Sequence, residues 1–308
     1  MKKLKKIYLV SPRGFCAGVK RAVEVVNLVL QKYKTPIYVR HQIVHNRHVI
    51  SDFEKKGVIF IEDINEIPDN SIVVFSAHGS STDLYQIAKR KKLKIFDAVC
   101  PLVNKVHVEA KKFYGQGFFI FYIGHKNHPE AIGVLKEVPD KSIVLIKTLE
   151  DAKKTIPPQT DKLIVLTQTT LSFDDTKEII NCLKKRFPKL ILPPAFDICY
   201  ATQNRQNAVK ELAKKADLVL VIGSKESSNS NRLKEVAEKS GKRAYLINDK
   251  SEIKTSWLEN VENLGITAGA SAPKYLIEEV VNYFKKQGVE IEELTVIKEN
   301  ISFPLPII

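Results

Sequence analysis

Cys16, Cys100 and Cys199 each stand where an apolar, strand-like run gives way to a helical pattern. The flanks are IYLVSPRGFCAGVKRAVEVV, KIFDAVCPLVNKVHVEAKKF and AFDICYATQNRQNAVKELA. Spacings of 84 and 99 residues separate them, so these are not the close pairs of a zinc ribbon or a thioredoxin motif. One cysteine at an equivalent point of each third of the chain points to three thiols converging on a common centre. Three thiolates can hold an iron–sulfur cluster whose fourth iron lacks a protein ligand. Such an iron is open to Lewis-acid chemistry as well as electron transfer. The remaining cysteine, Cys182, lies at an apolar position of the helical pattern EIINCLKKRF and reads as a buried structural residue.

Polar segments punctuate the same thirds. They are Val44–His45–Asn46, Ala77–His78–Gly79–Ser80–Ser81, Gly124–His125 to Glu130, Thr167–Gln168–Thr169–Thr170, Ser227–Ser228–Asn229 to Asn231, and Ala268–Gly269–Ala270–Ser271–Ala272. Their hydroxyls, amides and imidazoles stand just before helical patterns, where free N–H groups and the helix dipole favour a compact anion such as a diphosphate. Each serine taken alone also reads as an ordinary helix cap.

Of the seven histidines, His45, His78 and His128 fall on these tips and could bind phosphate as donors or bind a metal. His107 reads as an exposed helix position, and His41, His48 and His125 are ambiguous. A Cys/His zinc site is the rival, but its ligand pairs normally come at short spacing. Glu130 is a carboxylate on a tip otherwise built for an anion. There its pKa should rise, which makes it a candidate general acid. As a first-turn glutamate it could equally support a helix dipole.

Placing these tips takes alternating strands and helices. In the first third, the strand ending at Cys16 leads to a helix from Gly18 to about Tyr33, then strands over 37–46 and 71–81. In the second, a helix starts at Cys100, and 118–130 and 163–172 are each a strand plus polar loop, the latter followed by the helix DDTKEIINCLKKRF. In the last, a helix starts at Cys199, and 218–232 is a strand plus polar loop with 264–273 the next, followed by the helix KYLIEEVVNYFKKQG. This alternation is the pattern of βαβ units, and in such sheets ligands bind outside the carboxyl ends of the strands. The expected fold is therefore α/β, with three similar units presenting their tips to one centre.

The 308 residues, 44% hydrophobic, are enough for a substantial core in two or three small domains. No run approaches the roughly 18–20 apolar residues of a membrane span. The start MKKLKKIYLV reads as a first strand after a solvated lysine cluster rather than a signal peptide, so the chain is expected in the cytoplasm. A net charge of +14 comes from lysines spread over helix faces without aromatic interleaving. That argues against a nucleic-acid partner and leaves an anionic substrate or an acidic electron donor.

At these residues the chain resembles the 4-hydroxy-3-methylbut-2-enyl diphosphate reductase family, also called IspH or LytB. GFCAGVKRAV, HQIVHN, SAHGSS, DAVCPLV, GHKNHPE, TQTTLS, DICYATQNRQ, GSKESSNSNRL and GITAGASAP look like its motifs, in family order. The resemblance implies reductive removal of the allylic hydroxyl, by two electrons and two protons, to give isopentenyl and dimethylallyl diphosphates in the last step of the non-mevalonate pathway. It implies a [4Fe–4S] cluster on Cys16, Cys100 and Cys199, its fourth iron taking the substrate oxygen. His45, His78, His128, Ser227, Ser228, Asn229 and Ser271 would hold the diphosphate. Thr169 would orient the hydroxyl end, and Glu130 would donate protons with Thr169 and His128 beside it.

The resemblance further implies three α/β domains in a pseudo-threefold, trefoil-like arrangement around the cluster, with the N-terminal strand joining the last domain. The corresponding bounds are 18–100, 101–195, and 1–17 with 196–288, leaving 289–308 as a tail of open role. A ferredoxin or flavodoxin as electron donor and a monomeric state are also expected. A non-catalytic cluster- or metal-binding sensor of redox state or anions is the alternative, and a zinc-dependent hydrolase is a third reading.

Overall fold

The protein is described by a computed structural model covering residues 4–193 and 197–308. The first third runs β1 (Lys6–Ser11), α1 (Ala17–Lys32), β2 (Ile37–Arg40), α2 (Arg47–Glu54), β3 (Val58–Ile61), β4 (Ile72–Phe75), α3 (Thr82–Arg90) and β5 (Lys94–Asp97). The middle runs α4 (Pro101–Gly115), β6 (Phe119–Ile123), α5 (Pro129–Leu135), β7 (Ile143–Ile146), α6 (Leu149–Lys154), β8 (Leu163–Thr167) and α7 (Phe173–Arg186). The last part runs α8 (Tyr200–Lys215), β9 (Leu218–Ile222), α9 (Ser228–Lys239), β10 (Arg243–Ile247), β11 (Asn263–Ala268), α10 (Lys274–Lys285) and β12 (Glu290–Thr295).

These strands form three sheets, ordered β3-β2-β4-β5, β7-β6-β8 and β10-β9-β11-β1-β12, and every ladder is parallel. Parallel strands are covered on both faces, so their sequences read as nearly unbroken apolar runs. In β9, Leu218, Leu220 and Ile222 pack with Leu276, Val280 and Phe284 of α10. The alternate residues Val219 and Val221 pack with Leu212 of α8 and Leu233 of α9. The period-two alternation of strand side chains thus feeds two cores from one strand. β6 does the same, with Phe121 and Ile123 facing Ile179 and Leu183 of α7, and Ile120 and Tyr122 facing Val106 of α4.

The chain divides into two compact units. One is drawn from Met1–Lys20, His45–Asp52 and Tyr200–Ser302 and contains the five-stranded sheet. The other is drawn from Arg21–Val44, Phe53–Cys199 and Phe303–Ile308 and contains the two smaller sheets. The N-terminal strand lies in the last sheet, where β1 pairs with β11. Among the described residues no helix is long and apolar enough to cross a membrane.

The structure corrects several expectations. β3, β7, β10 and β12 were not anticipated, and all four lie at sheet edges, where shortness or charge weakens the apolar signal. β12 opens the supposed tail: its sequence EIEELT is largely solvent-facing, yet it pairs with β1 over six positions. The strand expected over 37–46 stops at Arg40, and His41 turns the chain with φ 61°. No strand precedes Cys199 among the described residues. Of AFDIC, Ala195 and Phe196 lie outside them, and Asp197 and Ile198 lie in a bend, with only Ile191 bridging Ile164 upstream. Cys182 on α7 is half-buried against a core cluster rather than fully enclosed.

Candidate active site

Within the unit of the two smaller sheets, Glu130 is a deeply buried functional group. It sits in the first turn of α5, whose start is set by Pro129 and by His128 as N-cap, the Glu130 amide donating to His128 Nδ1 at 3.2 Å. Its side chain is 2% exposed and meets Thr169 just beyond the end of β8. The Thr169 amide donates to Oε1 at 2.7 Å and the Thr169 hydroxyl to Oε2 at 3.0 Å. Burial pushes the Glu130 carboxyl up to about 8, against the pull of both Thr169 bonds and helped by the nearby Asp197 charge. A carboxyl with that affinity is protonated at neutral pH and able to donate.

The surrounding groups hold this acid in place. Gln168 is fully buried, accepts from the His125 amide at 3.0 Å and donates to Thr170 Oγ1 at 2.9 Å, which joins the β6 and β8 tips. Thr169 also ties the acid to a cysteine, its carbonyl accepting from the Cys199 amide at 3.0 Å. The amide of Cys100, N-cap of α4, donates to the Ala77 carbonyl at 3.1 Å, one residue before His78. His78 meets His128 edge-on with ring centroids 6.0 Å apart, and His41 stands 5.5 Å from His78 on its own side. His41, ambiguous from sequence, is held by Glu62 at 2.8 Å.

His107 is a correction. It is buried, not exposed: 3% of it is accessible, and Nδ1 meets Glu137 Oε1 at 2.7 Å. Its ring lies against the backbone of Gly79, where φ is +80° and a Cβ would come within 2.7 Å of Nε2. A helical pattern cannot reveal that a second chain segment covers the face on which His107 lies.

The unit of the five-stranded sheet carries the other candidates. Cys16 immediately precedes α1, and its amide donates to the Ala270 carbonyl at 3.2 Å, one residue before Ser271. The Ser271 hydroxyl donates to the His45 carbonyl at 2.9 Å and lies 3.5 Å from Ser227 Oγ. Ser227 caps α9, accepting from the Ser230 amide, and Ser228 and Asn229 form the first turn. Asn229 is 3% exposed, yet neither Oδ1 nor Nδ2 has a hydrogen-bond partner among the described residues. A buried amide left unmatched at a helix N-terminus is equipped to meet an anion's oxygens. His48, also ambiguous from sequence, is accounted for by Asp249 at 2.9 Å.

The cysteine chemistry fits a cluster. Cys16, Cys100 and Cys199 are half-buried thiols, and each directly precedes a helix, where the dipole stabilises a thiolate. A model of the LytB protein family matches residues 7–285.

The chain belongs to the LytB family.

This LytB-family chain is 51% identical over 306 residues to the 4-hydroxy-3-methylbut-2-enyl diphosphate reductase of Wolbachia pipientis, covering 98% of the chain and 99% of that relative. It is 48% identical to the reductase of the same name from a Polaromonas species, covering 99% of the chain and 92% of the relative. Among solved structures, the E-1-hydroxy-2-methyl-but-2-enyl-4-diphosphate reductase of Plasmodium falciparum superposes with a TM-score of 0.95 at 41% identity, covering 98% of this chain and 96% of that one.

Sequence reasoning about the LytB-family site passed over Asp197, Lys105 and Arg205. Asp197 is 3% exposed, accepts from the Thr167 amide at 2.9 Å and from Lys105 Nζ at 2.8 Å, and burial pushes its carboxyl up to about 6. Its one visible signal was an acid two residues before a cysteine. Arg205 gave none beyond its place in NRQ.

Proposed function

We propose that this chain reductively dehydroxylates 4-hydroxy-3-methylbut-2-enyl diphosphate to isopentenyl and dimethylallyl diphosphates and water. Two electrons and two protons are consumed. The observation that carries this reading is Glu130, a carboxyl kept protonated by burial and oriented by Thr169 among imidazole, hydroxyl and amide tips. Hydroxide is a poor leaving group, so its loss requires a proton at the oxygen, and Glu130 is the group able to supply it. The Thr169 hydroxyl, shared with Glu130, orients the reacting end, with His128 next to it. His45, His78, His128, Ser227, Ser228, Asn229 and Ser271 bind the diphosphate, whose binding energy positions the allylic end.

Cys16, Cys100 and Cys199 are the residues that hold an iron–sulfur cluster in this reading, of the [4Fe–4S] type. When bound, that cluster supplies the electrons and Lewis acidity. Of three domains over 18–100, 101–195, and 1–17 with 196–288, the first would contribute Cys100 and the last Cys16 and Cys199 to a trefoil-like centre, a reading that the presence of three parallel sheets supports. The reading places the enzyme in the cytoplasm as a monomer, receiving electrons from an acidic ferredoxin or flavodoxin, in keeping with its net charge of +14.

The test is anaerobic reconstitution followed by turnover with a reduced artificial donor and the allylic diphosphate. Consumption of substrate by the iron-loaded chain is expected, and no consumption by a fully loaded chain overturns the assignment. Glu130→Gln should abolish turnover while iron content and diphosphate binding persist, which separates an enzyme from a sensor.

A further inference from the structure

Each helix that follows one of the three cysteines carries a cation five or six residues further on, and that cation reaches the turn in front of a different cysteine. Arg21, behind Cys16, donates from Nη1 to the Val99 carbonyl at 2.9 Å, one residue before Cys100. Lys105, behind Cys100, donates to Asp197 Oδ1 at 2.8 Å, two residues before Cys199. Arg205, behind Cys199, donates to the Gly14 carbonyl from Nη2 at 2.7 Å and Nε at 3.2 Å, two residues before Cys16. The three links run in one cyclic sense along the chain.

We infer that Arg21, Lys105 and Arg205 are positioning residues, each fixing the cysteine turn of the next segment, and that the C-terminal residues complete two of these grips. Arg205 is 1% exposed, and a buried guanidinium persists only where its donors are matched. Beyond Gly14 it donates to the Ala201 carbonyl at 3.0 Å and to Glu299 Oε1 at 3.1 Å, so a residue past β12 supplies its counter-ion. Arg21 likewise donates from Nε to the Pro304 carbonyl at 2.8 Å. The Cys16 turn is held from its other side as well, since the Gly14 and Cys16 amides donate to Ala268 and Ala270. Groups outside a ligand set commonly fix the orientation of the ligands themselves. Here that task falls to one cation per turn.

The consequence for a cluster rests on the cysteines being its ligands, but the grips do not, so the two are tested apart. In the full-length chain freed of iron and reduced, the alkylation rate of each cysteine by iodoacetamide is read by mass spectrometry. Arg21→Gln should raise the rate at Cys100, Lys105→Gln at Cys199 and Arg205→Gln at Cys16, each roughly tenfold for loss of a charged hydrogen bond. The cysteine at the head of the mutated helix should be unaffected. Arg205→Lys, which keeps the charge but not the fork, should raise Cys16 less than the glutamine variant does, and Glu299→Gln should also act at Cys16. Arg21 and Lys105 are half-buried, and their variants are decisive even if Arg205→Gln does not fold. A rise shared by all three cysteines, a rise at the head of the mutated helix, or no rise overturns the proposal. Anaerobically loaded variants should also lose iron to a chelator faster than the parent chain. If the alkylation pattern holds but no chain takes up iron, the grips stand and the cluster assignment falls.

Discussion

Thr169 engages both carboxyl oxygens of Glu130, its amide at 2.7 Å from Oε1 and its hydroxyl at 3.0 Å from Oε2. Both bonds favour the ionised acid, while burial favours the neutral one, and burial wins. The balance leaves Glu130 protonated near neutrality yet close enough to its pKa to release a proton.

Turnover should therefore fall as pH rises through about 8, where Glu130 loses its proton. Thr169→Val removes one bond that stabilises the carboxylate, so the alkaline limb of the pH–rate profile should move to higher pH. Steady-state rates of parent and variant across pH 6–10 check this, and a limb that stays put or moves down contradicts the assigned role.

The same shift has a cost in stability. The folded-state pKa of Glu130 lies above the ordinary 4.5, so its contribution is fully present below 4.5 and is lost as pH rises through about 8. Glu130→Gln cannot ionise and should show a flatter dependence of Tm on pH over that window. Parallel melting curves for the two proteins should converge at low pH and separate as pH rises.

Asn229→Ala removes a buried amide that has no protein partner among the described residues. Melting of the ligand-free chain should be unchanged or slightly raised, because an unmatched polar group is deleted along with its burial penalty of about 1–3 kcal/mol. The thermal shift produced by inorganic diphosphate should shrink, corresponding to about tenfold weaker binding. An undiminished shift would remove Asn229 from the binding set.

Gly79→Ala introduces a Cβ within 2.7 Å of His107 Nε2 at a residue with φ +80°. The clash and the left-handed backbone together should cost about 1–3 kcal/mol and displace the neighbouring His78. Chemical denaturation measures the first effect, and a rise in KM for the diphosphate substrate measures the second.

Much of the fold was legible because buried parallel strands such as LVLVI of β9 and LIVLT of β8 carry continuous apolar signals. The edge strand β12 was not, because EIEELT owes its place to pairing with β1 rather than to burial. His107 was misread for a related reason: its partner Glu137 and its cover Gly79 lie far away in sequence, and helical periodicity carries no record of them.

The cysteines before three helices, the polar tips and the family motifs were determined by residue order alone, because each is a local pattern of types and spacing. Tertiary structure decided what those patterns touch. It placed Thr169 on both oxygens of Glu130, left the Asn229 amide unmatched, and brought Arg21, Lys105 and Arg205 to the turns in front of the cysteines. Burial and hydrogen-bond geometry depend on segments far apart in sequence, 191 residues for Arg205 and Gly14, and only the folded chain brings such segments together.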